Sequence, residues 1–229
     1  MNNLSVSLNK KEVIFGVIYM LVQLFVLPSL LTWGNWLLGS PLSVVQLNFV
    51  FFALNFIVIT VAYRRFLIEN LKMLVKHPWW VLRFAGAGLL LYWVGNFLVS
   101  MLIMQLSPSF TNANDQSIME LTQDNVILMS VGTVLLVPVV EETLYRGVLF
   151  GAIYRKNAFL AYTLSTVVFS SLHIIGYLGV YSPLELLLSF LQYVPAGLCL
   201  AWSYQKSDSI WAPILIHIAV NQMGNLAMR

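Results

Sequence analysis

The chain has 229 residues, 59% of them hydrophobic and only 9% charged, where an average soluble protein carries about 25% charged residues. That balance excludes a water-soluble domain and points to a polytopic membrane protein. The formal charge of +3 reflects where lysine and arginine sit in the loops; no basic patch with interleaved aromatics is present, so nucleic acid is excluded as a partner.

A bilayer crossing needs about 20 apolar residues. Runs of that kind fall at 13–33, 43–63, 80–105, 125–152, 158–179, 184–204 and 210–228. The expected fold is an all-α polytopic transmembrane bundle of about seven spans, between six and eight, forming one membrane domain over 1–229. Met1 to Glu12 brings two lysines up to the first apolar run without a small-residue cleavage site, so the first span is expected to stay as an anchor. Lys10, Lys11, Arg64, Arg65, Lys72, Lys76, Arg155, Lys156 and Lys206 all fall on one side of this topology, and the opposite loops carry no charge or only Asp115, Glu120 and Asp124. The positive-inside rule then puts the N-terminus in the cytoplasm, with Arg229 the one dissenting residue.

Between the spans the sequence is sparing. Trp79 and Trp80, just after Lys76, His77 and Pro78, suit an interfacial belt. The polar stretch from Ser107 to Asp124 is too short and too poor in apolar residues for a second core. Ser182, Pro183 and Glu185 have the spacing of a capping box, and Asp208 suits the N-cap of the last helix. Cys199 is the only cysteine, which excludes an intrachain disulfide and a cysteine-rich zinc site.

Ionisable side chains at bilayer depth are expensive and need partners. Three polar sets interrupt the last spans. Glu141, Glu142 and Arg146 form the first; residues four apart share a helix face and adjacent ones diverge by about 100°, so Glu142 pairs with Arg146 and Glu141 points elsewhere. Pro138 lies just upstream and should bend or loosen that helix. Phe169 and His173 form the second set, His217 and Asn221 the third, each at i,i+4 spacing. A glutamate, two histidines and an asparagine from three helices suit water activation with oxyanion donors. The same glutamate and histidines could instead hold a catalytic zinc.

These three sets, in order, resemble those of the CPBP intramembrane proteases, which include the Ras-converting CAAX prenyl endopeptidase. The family pattern Glu-Glu-x-x-x-Arg, Phe-x-x-x-His and His-x-x-x-Asn reads here as Glu141-Glu142 to Arg146, Phe169 to His173, and His217 to Asn221. The resemblance covers 125–221, which it makes a catalytic core with an active-site cavity formed by the C-terminal four helices. It implies an intramembrane endopeptidase acting on a peptide or protein substrate, itself associated with the membrane or not. Glu141 would be the general base with His173 as its partner, His217 and Asn221 the oxyanion donors, and Glu142, Arg146 and Phe169 structural support. The resemblance leaves the type open between glutamic and metallo; no cofactor is favoured, with zinc on Glu141, His173 and His217 as the alternative. A non-catalytic bacteriocin self-immunity or scaffold protein and a proton-linked transporter are the rival readings, and short tails suggest a bacterial plasma membrane.

Depth arithmetic sets one further expectation. At 1.5 Å per residue Glu141 lies about 24 Å from the boundary near Asn125, close to the cytoplasmic face of a core about 30 Å thick, while His173 lies about 22 Å in from Ala158. The two levels disagree unless span five enters the core nearer Tyr162 to Ser165. On that reading the site is a cavity in the cytoplasmic half.

Overall fold

The computed structural model describes residues 4–227, all helix and connecting turns with no β-sheet among them. Arg229 lies outside these residues. In chain order the helices are α1 (Lys10–Leu37), α2 (Val44–Ala62), α3 (Arg64–Lys76), α4 (Pro78–Leu106), α5 (Ala113–Asp124), α6 (Val126–Tyr154), α7 (Ala158–Tyr177, its last turn a 3-10 turn), α8 (Pro183–Ser207) and α9 (Trp211–Ala227). Six of them, α1, α2, α4, α6, α7 and α8, are long and apolar enough to cross a bilayer. The seventh predicted run, 210–228, is α9, which at 17 residues stops at the limit of the described residues. The chain is a multi-pass membrane protein. Its outer surface agrees, with Trp33, Phe97, Phe159 and many leucines turned outward, as lipid contact allows and water does not.

Two helices lie where only connections were expected. α3 follows α2 after a break at Tyr63 and packs Phe66, Leu67 and Asn70 inward while its charged residues face out. α5 is begun by Asn112, whose side chain accepts from the N–H groups of Asn114 and Asp115. The predicted capping box of Ser182 and Glu185 starts α8.

One end of the bundle gathers the basic residues. The segment before α1 is tied there: Leu4 O accepts from Arg155 at 3.4 Å, Ser5 N–H donates to Asp208 at 2.8 Å, and Arg65 pairs with Glu12 at 3.2 Å. Asp208 therefore does not cap α9 as expected. It ends α8 in the left-handed region (φ 55°), which an aspartate tolerates, and turns its carboxylate to Ser5. Burial pushes that carboxyl above its usual range, opposed by the Ser5 hydrogen bond. The start of α9 is served instead by Asn70 of α3, whose Oδ1 accepts from Ile210 N–H at 2.9 Å and whose backbone O accepts from the Ser209 hydroxyl at 3.2 Å. Sequence position favoured the adjacent aspartate; the fold supplies an asparagine from 140 residues away.

Prolines accompany two of the local irregularities. The backbone widens into π-helical turns at Val22–Val26 and Val131–Leu136, immediately before Pro28 and Pro138. Leu27 N–H reaches back to Val22 O and Val137 N–H to Gly132 O, five residues rather than four. A ring without an N–H cannot continue the α ladder, and a widened turn absorbs the mismatch. α7 and α8 approach closely at Gly197, where an added Cβ would lie 2.7 Å from Thr166 Cγ2 and 3.0 Å from Thr166 Cα. Asn70→Ala should lower stability by about 1–3 kcal/mol in detergent denaturation, since it strands the buried Ile210 N–H, whereas Asp208→Asn should cost less than about 1 kcal/mol.

Candidate active site

The acid motif falls at the middle of α6, between Pro138 and a second π-helical segment, Thr143–Phe150. Glu142 and Arg146 are both fully buried and pair as the spacing predicts, Arg146 Nη1 donating to Glu142 Oε1 at 2.9 Å. Two ions without water need more than each other. The Arg146 guanidinium lies over the Phe169 ring, 4.5 Å from its centroid, and Nη2 donates to Gly197 O at 3.4 Å, the carbonyl exposed by the close α7–α8 approach. His217 Nδ1 meets the same Glu142 Oε1 at 2.8 Å. A carboxylate paired with arginine only accepts, so Nδ1 carries the imidazole proton and Nε2 is left free.

Glu141 is turned away from this cluster, as expected. Its Oε2 has no hydrogen-bond partner and faces His173 Nε2 at 4.0 Å. His173 is fixed from its other side, its Nδ1 donating to Phe169 O at 2.8 Å, so its Nε2 presents a lone pair. Two acceptors thus face each other beyond direct hydrogen-bond range. Tyr193 of α8 holds the His173 ring, with centroids 4.3 Å apart and planes 30° from parallel. Phe169 touches His173 (4.5 Å), Tyr145 (5.7 Å) and His217 (6.1 Å), which makes it the hub between the two histidines.

Asn221 has a partner that the motif did not foretell. Its Nδ2 donates to Thr133 O at 2.7 Å. In the widened register before Pro138 the next backbone donor to Thr133 O would be the proline nitrogen, which has no hydrogen. Asn221 therefore satisfies the carbonyl that the proline strands, and its second amide hydrogen remains free.

Glu141, His173, His217 and Asn221 all line one cavity of about 890 Å³. The cavity is not confined to the C-terminal four helices, as the motifs alone implied. Gln23 of α1, Asn55 of α2, Asn96 of α4, and Asn112 and Asp115 of α5 complete its wall. The charged motif lies late in the chain, but enclosing a space at bilayer depth takes the early spans as well. α5 is latched over the cavity: Asn112 Nδ2 donates to Gln192 Oε1 at 2.9 Å, Asn114 Nδ2 to Tyr193 Oη at 3.0 Å, and Tyr193 Oη–H to Asp115 Oδ1 at 2.9 Å. Burial raises the Asp115 carboxyl above its usual range, against the lowering effects of the Tyr193 bond and of nearby His173. Tyr193, Asp115 and the amides escaped a motif reading keyed to acids and histidines; polar residues inside apolar spans, such as Gln192, Asn55 and Asn96, were the available signal.

Helix lengths account for the depth mismatch. α7 begins at Ala158, capped by Asn157. α6 spans 29 residues, about 43 Å at 1.5 Å per residue and longer than the roughly 30 Å core. Counted from their basic ends, Glu141 on α6, His173 on α7 and Tyr193 on α8 lie about 20, 22 and 21 Å along. The three are level, Glu141 and Tyr193 at mid-helix and His173 at the C-cap of the α-helical part of α7. His217 lies only about 9 Å along α9 because that helix starts recessed, with Ser209 and Ile210 buried against α3.

Of the three residues named for zinc, Glu141 and His173 face each other, and His217 turns its Nδ1 to Glu142 and leaves Nε2 free; among the described residues no group of three or more His, Cys, Asp or Glu side chains is placed to share a metal ion.

Residues 123–223 match the family described as type II CAAX prenyl endopeptidase Rce1-like. The matched segment, a little under half of the chain, contains all three motif sets and runs from the last turn of α5 to within α9. The chain is similar to "Putative membrane peptidase YdiL" of Bacillus subtilis (strain 168), 32% identical over 109 residues, which is 47% of this chain and 40% of that protein. It is also similar to "UPF0177 protein YxdF" of Lactococcus lactis subsp. lactis (strain IL1403), 27% identical over 135 residues, 58% of this chain and 70% of that protein. The first match spans less than half of the relative's length. No solved structure matches the chain.

Breaking the buried pair from one side leaves a stranded charge. Arg146→Met should cost about 3–5 kcal/mol in denaturation from detergent micelles, and adding Glu142→Gln should recover a large part of it.

Proposed function

We propose that this is an intramembrane endopeptidase that hydrolyses a peptide bond with a water activated by Glu141 and His173. One observation carries the reading: the unbonded Glu141 Oε2 and the His173 lone pair face each other at 4.0 Å inside a cavity that holds a peptide-sized volume. One water can donate a hydrogen to each, which leaves its own lone pair for a substrate carbonyl. The carboxylate takes the proton as the C–O bond forms. The same proton then passes to the departing amine as the C–N bond breaks, directly or through His173.

The charge that develops on the substrate oxygen needs donors. Asn221 has one amide hydrogen uncommitted, since only the other is bonded to Thr133 O. His217 can donate from Nε2 only when both ring nitrogens are protonated, its Nδ1 being held on Glu142 at 2.8 Å. Phe169 and Tyr193 hold the two rings, which makes them positioning residues. No step in this scheme passes through a metal.

The gathering of basic residues at one end of the bundle and the bacterial relatives support a bacterial plasma membrane with the N-terminus in the cytoplasm. A carrier would expose a polar path to both faces, whereas here Glu141, His173 and His217 line one cavity.

Purified protein should cleave quenched peptides, and Glu141→Ala should lower kcat/KM by roughly 10²–10⁴-fold, the usual worth of a general base. A strong chelator should leave the wild-type rate unchanged. Loss of activity on chelation with recovery on adding zinc would contradict the scheme, and cleavage that survives Glu141→Ala would contradict the assignment of the base.

A further inference from the structure

A second carboxylate shares the cavity, and the hydrolytic scheme does not use it. Asp115 stands in the first turn of α5 and lines the same space as Glu141. Its side chain is solvent-accessible. Oδ1 accepts from Tyr193 Oη–H at 2.9 Å, and no other hydrogen bond or ion pair from the described residues reaches the carboxylate. The other acids of α5, Glu120 and Asp124, do not line the cavity.

Its position is fixed relative to the reacting pair. The Tyr193 ring packs on His173 with centroids 4.3 Å apart, and its hydroxyl, which also receives Asn114 Nδ2 at 3.0 Å, ends on Asp115. One tyrosine thus separates the carboxylate from His173, on the order of 10 Å, or about three residues of extended chain at ~3.3 Å each. The charge of the space is one-sided. Its described lining includes the carboxylates of Asp115 and Glu141 and the imidazoles of His173 and His217, but no lysine or arginine.

We propose that Asp115 is a specificity-determining residue that takes a cationic group of the substrate, a lysine or arginine side chain or a free amino terminus, about three residues from the bond cleaved. The proposal rests on Glu141 as the base. A carboxylate in a partly desolvated cavity with one hydroxyl partner is unpaired, and an ammonium or guanidinium supplies both the missing charge and the missing donors. The same wall offers nothing to a free carboxyl terminus, which would meet a like charge. Substrates whose negative terminus must enter this part of the cavity are disfavoured, and internal bonds beside a basic residue are favoured.

Asp115 also anchors α5, as a first-turn acid and as the partner of Tyr193, so the test must remove charge without removing the anchor. Asp115→Asn keeps an oxygen for the Tyr193 hydroxyl, and Asp115→Lys reverses the sign. Binding is measured in the Glu141→Ala background, so that it does not depend on turnover. The probes are fluorescent decapeptides, acetylated and amidated, with lysine, glutamine or glutamate at one varied position; a fourth, glutamine-containing peptide is truncated to leave a free amino terminus at that position. With Asp115 intact, the lysine peptide should bind at least tenfold tighter than the glutamine peptide and the glutamate peptide weakest. Asp115→Asn should bring the lysine-to-glutamine ratio close to one, and Asp115→Lys should favour glutamate. The fourth peptide tells an amino terminus from a side chain as the cation recognised. Equal binding of the three acetylated peptides at every varied position, binding of none, or a lysine preference that survives both substitutions would overturn the proposal. Loss of cleavage in Glu141→Ala alone, with the binding pattern intact, reports on the base and not on Asp115.

Discussion

The structure turns on one oxygen. Glu142 Oε1 accepts from Arg146 of its own helix and from His217 of α9, both within 2.9 Å, in a place that no water reaches. Removing these ions from water is costly, and the cost is offset by the carboxylate, the Phe169 face and the Gly197 carbonyl, while Glu142 Oε2 and Arg146 Nε keep no hydrogen-bond partner. The cluster therefore draws α6, α7, α8 and α9 to one point. It also settles the division of labour between neighbouring glutamates. With Glu142 committed, the 100° turn of the helix sends Glu141 into the cavity with an oxygen unbonded.

Proline gives the second constraint. Pro138 strands the carbonyl of Thr133 and widens the turn ahead of the acids, and Asn221 answers the stranded carbonyl from α9. A backbone defect at bilayer depth is tolerated because it faces a cavity with a side-chain amide to fill it. The same residue lines the cavity that Glu141 and His173 face. His217 and Asn221, four residues apart on one helix face, thus both hold α6, His217 through Nδ1 with Nε2 kept for the cavity and Asn221 through one amide hydrogen with the other kept for it. Local helix geometry, packing and the proposed chemistry are joined at these two side chains.

Much of this was legible in the residues. The i,i+4 logic foretold the Glu142–Arg146 pair and the separate direction of Glu141, and apolar run lengths placed the spans, because a bilayer imposes length and composition so strictly. What sequence could not supply was partnership across the fold. Asp208 had the right neighbours for a cap, but Asn70 from α3 took the role, and the aspartate secured the segment at Ser5 instead. The stretch 107–124 was too polar for a core and was passed over as a connection, yet its helix α5 closes the cavity and carries Asp115. The depth of His173 seemed at odds with Glu141 only because α6 was measured against the thickness of a membrane; at 29 residues it exceeds that thickness, and the two residues are level.

The central claim is that adjacent glutamates divide the work, one reacting and one holding the fold. The most direct test compares Glu141→Gln with Glu142→Gln on the same preparations, reading thermal unfolding in detergent beside peptide cleavage. Glu141→Gln should unfold at or above the wild-type temperature and cleave nothing measurable; Glu142→Gln should unfold several degrees lower, since Arg146 loses its counter-ion. A Glu141→Gln protein that is as destabilised as Glu142→Gln, or that still cleaves, would contradict the account.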